Sequence, residues 1–513
     1  MFVRTYAGAV VGIDAVKVTV EVNITGGGLG LYLVGLPDNA VKESEQRIRS
    51  AFDNIGERMS GRKTVVSLAP ADLRKEGAGF DLPIAVGILA AMERVPAEAV
   101  DGTLFVGELS LDGSLKPVRG VLPIAVCARD AGLRRLVVPA DNAAEAAVVE
   151  GIEVLGVGSL GQLLGTLRGE TTLEAARPAA EDSSDAAAER YAEDFADVKG
   201  QTFAKRALEI AAAGGHNVIM IGSPGSGETM LARRLPTILP PMTIEEALET
   251  TKIHSVAGKI QNNHSLITSR PFRSPHHTIS DVALVGGGSW PQPGEISLAH
   301  HGILFLDELP EFRRAVLEVL RQPLEDRKIT ISRSKFSVEY PANIMLIASM
   351  NPCPCGYYNH PTKECNCPPG AVQKYLSKIS GPLLDRIDIH IEVIPVELDK
   401  ITNSSDSEPS SVVRARVIAA RAIQTQRFQS YPGIYCNAQM TSPLLKKYCP
   451  LDDKCVALLK IAMQRFGLSA RAYDRIIKLS RTIADLDHNE KITPQYIAEA
   501  IQYRSLDKDG WGG

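Results

Sequence analysis

Val218-Ile219-Met220-Ile221-Gly222-Ser223-Pro224-Gly225-Ser226-Gly227-Glu228-Thr229 is the stretch on which the reading of this chain turns. Four apolar residues make a short buried strand, a Gly-rich turn follows, and a helix is predicted from Thr229. Strand, turn and helix in that order are what a phosphate-binding loop needs. Glycines let backbone N–H groups wrap an anion, and the helix N-terminus favours negative charge. The template is G-x-x-x-x-G-K-[ST], in which the final hydroxyl reaches Mg²⁺. Here the cradle is Gly222, Ser223, Pro224, Gly225, Ser226, Gly227, Glu228 and Thr229, with Met230 next. One position departs: Glu228 stands where the template has Lys. At about 4 Å and an effective dielectric near 20, exchanging attraction for repulsion toward a phosphate is worth several kcal/mol. Taken alone, the loop also fits a coincidental Gly-rich turn.

Downstream residues narrow the choice. Gly302–Leu306 is an apolar strand ending in Asp307-Glu308, about 80 residues after the loop. Asp307 is placed to hold Mg²⁺ and Glu308 to polarise an attacking water. A third apolar strand, Ile344–Ala348, ends near Asn351, whose amide can orient water against a γ-phosphate. Arg386 lies in Gly381–Asp388 and Arg471 in Leu468–Ala472. Single arginines are usually surface charges. In this order they suit a finger supplied to a neighbouring subunit and a lid contact within the same subunit.

The ordered set GSPGSGET, ILFLDE, IASMNP, LLDRID and LSARA resembles an AAA+ ATPase. The phrases PGEISLAHHGILFLDELPEF, RSPHHTISDVALVGGG and ASMNPCPCGYY resemble the magnesium-chelatase-like branch, specifically the ComM (YifB) family, over about residues 1–505. The resemblance implies ATP and Mg²⁺ as cofactors and a homo-hexameric ring. It also implies translocation on single-stranded and branched DNA, driving branch migration while transforming DNA is integrated. Against that pattern Glu228 implies weak ATP binding or lost hydrolysis. A single recent change on an active scaffold and a natural pseudo-ATPase both account for it, and the presence of every other catalytic position favours the first.

The first part of the chain alternates strands (Lys17–Ile24, Thr64–Leu68, Leu104–Val106, Leu136–Val138) with helices (Asn39–Ile55, Asp81–Met92, Leu122–Ala131). It resembles the Lon-protease-like, ribosomal S5 domain 2-like fold through Lys75–Asp81 and Gly107–Gly113. Laid on that pattern, the serine position falls on Gly79 and the lysine position on Leu122. A Ser–Lys dyad needs a hydroxyl beside an amine, so protease activity is not expected. The fold class implied is α/β: an AAA+ P-loop core with a helical lid, preceded by a Lon-like α/β domain. The expected boundaries are 1–170 for the Lon-like domain, 171–195 for a linker, 196–398 for the core and 399–513 for the lid. The linker reading rests on Leu173–Tyr191, which is rich in Ala, Glu, Asp and Ser and too polar to order itself.

Cys353, Cys355, Cys365 and Cys367 hold half of the eight cysteines. In a reducing compartment clustered thiols suggest metal before disulfides. Four thiolates suit tetrahedral Zn²⁺, although C-x-C pairs are tighter than the usual spacing. Free thiols or two disulfides are the alternatives, and His360 is more simply a loop residue. Pro352, Pro354, Pro368 and Pro369 make the segment loop-like, so a metal would supply its order. For DNA, Lys328–Tyr340 reads as a hairpin with Arg333 and Lys335 at a basic tip, and Lys328 at its base, where contacts to phosphate carry no sequence information. Arg270–Trp290, with Arg273, His276, His277 and Trp290, is a second candidate pore loop.

Length and composition bound all this. At 513 residues, the prior of roughly 100–200 per domain gives about three domains. With 56 Lys+Arg against 60 Asp+Glu the net charge is -4, which excludes a histone-like basic protein or an acidic tail but not a local basic patch. No apolar run spans a bilayer, the longest being Leu82–Met92, and the N-terminus carries no signal-peptide pattern, so a cytoplasmic location without membrane contact is expected. Three readings compete: a DNA translocase, a chelatase-type motor that remodels a protein partner, and a nucleotide-insensitive scaffold, which Glu228 taken alone suggests. The Lon-like domain and the basic hairpin tip favour DNA.

Overall fold

The computed structural model describes residues 1–178, 193–260, 266–288, 291–333, 336–360, 362–396 and 407–504. Most of the linker stretch lies outside them, as do Trp290 and Lys335. The chain forms two compact units: Met1–Glu181 with Ile244–Ile267 and Ser332–Tyr340, and the remainder.

The first unit is built on a seven-stranded mixed sheet. Its order is Leu31–Val34, Lys63–Ala69, Asp14–Thr25, Phe2–Val11, Thr103–Phe105, Arg135–Pro139, Glu153–Val157. Phe2–Val11 and Asp14–Thr25 form an antiparallel hairpin in continuous register from Phe2↔Asn23 to Val11↔Asp14. Gly12, at φ 67, supplies the tight turn. Alternate residues of Arg135–Pro139 enter different cores: Leu136 and Val138 join one, Val137 the other. The two-residue period of a strand therefore buries both faces. One face carries the helix Asp81–Ala91, every residue of which is buried. The other carries Val121–Asp130. Gly79 lies in the turn Ala78–Phe80, and Leu122 lies in the helix Val121–Asp130. The sequence reading of one helix over Asn39–Ile55 is corrected to two, Asn39–Lys42 and Ser44–Asn54, because Asp38 caps the first turn and Glu43 ends it.

The helix Ile244–Val256 belongs to this first unit. Ser255 donates its hydroxyl to Glu145, and Lys252 pairs with Asp14 at 2.9 Å. Glu145 also accepts from the Leu122 N–H at 3.0 Å, and burial pushes its carboxyl above the usual range.

The second unit has a five-stranded sheet, all parallel, ordered Phe272–Arg273, Ile303–Leu306, Met345–Met350, Val218–Gly222, Ile389–Val393. Its central strands are apolar and buried throughout, as parallel strands covered on both faces must be. Val218–Gly222 comes first in the chain yet lies between the fourth and fifth strands. Its carboxyl end is therefore the topological switch point, where open α/β sheets bind ligands.

Among the described residues five helices follow: Ser410–Phe428, Ser442–Tyr448, Asp453–Phe466, Ala470–Leu486 and Pro494–Gln502. Buried charge ties the first of them to the fourth. Asp485, 1% exposed, accepts two bonds from Arg427 at 2.6 and 2.7 Å, one from Arg481 at 3.1 Å and one from Asn437 at 2.7 Å. Asp485→Ala strands two arginines in the core and should cost about 3–5 kcal/mol, the usual penalty for breaking a buried pair. Urea unfolding of the full chain would show a lower midpoint; an unchanged one would mean that the donors find other acceptors.

Candidate nucleotide site

The carboxyl ends of the parallel strands bring the expected residues together. Helix Glu228–Arg234 begins one residue earlier than the sequence suggested, directly after Gly227 at φ 100. Its Thr229 Oγ1 donates to Asp307 Oδ2 at 3.0 Å. Ser349, on the neighbouring strand, donates its hydroxyl to Asp307 Oδ1, and the Glu308 N–H lies 3.1 Å from the same oxygen. A hydroxyl and a carboxylate oxygen side by side are hard donors of the kind Mg²⁺ selects. Glu308 sits in the left-handed region at φ 53. Asn351 follows the strand Met345–Met350 and is half-buried.

Glu228 is turned into the loop. A Cβ on Gly222 would fall on Ser226 Oγ and Glu228 Oε1, so Gly222 is the residue that leaves room for this packing. Burial pushes the Glu228 carboxyl above its usual range, and the Asp307 charge adds to the shift. The Ser223 hydroxyl is buried without a protein partner, and the Ser226 hydroxyl bonds the Glu228 carboxyl.

Sequence reasoning missed several contributors. Ser349 reads as one polar residue within an apolar strand. Gln201, at φ 51, donates its Nε2 to the Ser226 carbonyl of the loop. It lines a cavity of about 380 Å³ with Gly200, Phe203, Val393 and Val396. The only advance signal was Val198-Lys199-Gly200-Gln201 ahead of a helix.

The two arginines differ, Arg386 being engaged and Arg471 exposed. Arg386 pairs with Glu325 and donates to the Pro382 carbonyl at 2.7 Å. Arg471 is exposed at the start of Ala470–Leu486. One turn on, Arg475 reaches Asp388, which also accepts from His216 Nδ1 and the Asn217 N–H, each at 3.2 Å. Burial opposes charge on Asp388, but Arg475 and His216 hold its carboxyl well below the usual range. This network ties the segment carrying Arg386 to the helix carrying Arg471.

The four clustered cysteines converge. All four Sγ atoms lie within 4.8 Å of one another, with Cys353–Cys355 at 3.3 Å, Cys355–Cys365 at 3.5 Å and Cys353–Cys365 at 3.7 Å. Tetrahedral Zn²⁺ with Zn–S bonds of about 2.3 Å spaces its sulfurs by about 3.7 Å, so the set fits that ion. His360 is not part of it: its Nδ1 accepts the N–H groups of Thr362 and Lys363, each at 3.1 Å. Of the candidate DNA contacts, Arg273 is held by Glu295 through two bonds, one at 2.7 Å. Lys328 is exposed at the start of the strand Lys328–Arg333, Arg333 ends that strand, and Lys335 lies outside the described residues.

A phosphate loop on the switch strand, an Asp–Glu pair on the third strand to appear in the chain's parallel sheet and a helical lid together define an AAA+-type nucleotide-binding protein. Three family models match the chain: magnesium chelatase, subunit ChlI, over residues 194–401; its C-terminal counterpart over 407–504; and subunit ChlI of Mg-chelatase over 20–142. Competence protein ComM of Haemophilus influenzae is 43% identical over 502 residues, covering 98% of this chain and 97% of that protein. Uncharacterized protein YifB of Escherichia coli K12 is also 43% identical, with 98% and 96% covered. A shorter match, 30% identical over 97 residues, is to Lon protease 2 of Bacillus subtilis, covering 18% of this chain and 17% of that protein. The chain belongs to the ComM/YifB family of magnesium-chelatase-like AAA+ proteins. That family implies ATP and Mg²⁺, for which the loop and the Thr229–Asp307 pair supply the donors. No helix among the described residues is long and apolar enough to cross a membrane.

Proposed function

We propose that this chain is a cytoplasmic ATP-driven DNA translocase of a homo-hexameric ring, moving branch points during the integration of transforming DNA. The observation that carries the motor half is the Thr229–Asp307–Ser349 cluster at the mouth of the parallel sheet. The DNA half rests on end-to-end similarity to a protein named for competence. In this reading the phosphates lie along Gly222–Met230, Thr229 and Asp307 hold Mg²⁺, Glu308 and Asn351 handle the attacking water, and the base enters the cavity beside Gln201. Arg386 leaves Glu325 to reach a neighbouring subunit's nucleotide, and Arg471 closes the lid from within its own subunit. Arg273, Lys328, Arg333 and Lys335 face DNA phosphates. Glu228 holds the chain below full activity, and the four cysteines bind Zn²⁺.

A second reading, a chelatase-type motor that remodels a protein partner, is favoured by the family models themselves. The two separate cleanly. In a Glu228→Lys chain, ATP hydrolysis should rise several-fold on adding a four-way DNA junction, and light scattering with nucleotide should give a hexamer. Hydrolysis indifferent to every DNA would remove the translocase and leave the protein-remodelling motor.

A further inference from the structure

The sequence places the His276-His277 pair in a candidate pore loop, and its position beside Glu308 gives it a different role. Glu308 is held firmly at its backbone, whose N–H meets Asp307 Oδ1 at 3.1 Å and Ser349 Oγ at 3.3 Å. Its side chain is 56% exposed, so the backbone contacts do not fix where the carboxylate points. The group that meets it is the imidazole of His277, with Nδ1 3.6 Å from Oε2. That ring is itself constrained. It lies 4.0 Å from the His276 ring and presents an edge to buried Phe312 at 6.4 Å. His276 in turn contacts Thr278 Oγ1 through Nδ1 at 2.9 Å. The loop bearing the pair is anchored on both sides. Arg273 is clamped to Glu295 before it, and Ser280 caps the helix Asp281–Val285 after it, accepting from the Ala283 N–H at 3.1 Å.

We infer that His277 is the positioning residue for Glu308, its imidazole standing 3.6 Å from the carboxylate and limiting where that carboxylate can turn. This rests on the reading of Glu308 as the water-polarising group. His277 touches neither nucleotide nor water; it acts by narrowing the directions Glu308 can take. A misplacement of about 1 Å in such a group can cost roughly 100-fold in rate.

The test uses the full chain carrying Glu228→Lys, so that hydrolysis can be read. His277→Ala should lower kcat roughly 10- to 100-fold with the KM for ATP unchanged. His277→Asn, whose side-chain amide places a donor near the Nδ1 position, should recover most of the loss. His277→Ala added to Glu308→Gln should lower kcat no further than Glu308→Gln alone, because both act through one carboxylate. An unchanged kcat in His277→Ala, no recovery in His277→Asn, or additive losses in the double variant would each overturn the inference. If the Glu228→Lys chain with His277 intact fails to hydrolyse ATP, the functional reading itself has failed, and this assignment falls with it.

Discussion

Glu228→Lys should tighten ATP binding by two to three orders of magnitude. The argument is electrostatic. In the present chain a carboxylate lies inside the loop that would receive the phosphates, packed against Gly222 and Ser226. Two unit charges at about 4 Å interact by about 4 kcal/mol at an effective dielectric of 20. Exchanging one sign for the other doubles that at most, and solvent at the open mouth of the site reduces it. A net gain on the order of 3–4 kcal/mol corresponds to two to three decades in Kd. Glu228→Gln, which removes the repulsion without adding attraction, should fall between the two chains. Titration of a fluorescent ATP analogue into all three measures this directly. Equal affinities would show that residue 228 does not face the phosphates.

The size of that effect follows from a departure visible in the sequence, and much of the site was visible in the same way. Gly222–Thr229, Asp307 and Asn351 sit on or just after apolar strands, and apolar runs bounded by turns can be read locally. Leu82–Met92 was legible as a buried helix for the same reason, being apolar on all sides. What could not be read depends on partners distant in the chain. Ser349 gains meaning only because its strand lies beside the one carrying Asp307. His277 and Glu308 are brought together by a loop and a strand end, with no periodicity linking them. The membership of Ile244–Ile267 and Ser332–Tyr340 in the N-terminal unit is likewise set by tertiary packing, such as Ser255 against Glu145 and Val338 against Gly12. Local composition assigned both stretches to the core.

Cys353→Ser should abolish stoichiometric zinc and disable the nucleotide site with it. The segment Cys353–Cys367 has few apolar side chains and five prolines at its edges and within it, so it has little core of its own. Cys353 is completely buried, and the sulfurs of its three partners close around it. Structural zinc contributes roughly 10–16 kcal/mol of apparent folding free energy in small domains, far more than hydrogen bonds could return to such a loop. The loop also bears on the phosphate cradle. Gly356, at φ 82, approaches Pro224 so closely that a Cβ would lie 2.7 Å from Pro224 Cγ. Losing the metal therefore removes the wall behind Pro224. Metal analysis of the purified chain should find one zinc per chain, falling well below that in Cys353→Ser. In the Glu228→Lys background, the same substitution or prolonged chelation should reduce ATP hydrolysis at least 10-fold. The N-terminal unit has a separate core and should keep its folded signal. Full zinc in Cys353→Ser would exclude the four-cysteine site. Full hydrolysis after complete zinc loss would instead show that the cradle holds its shape without the loop behind it.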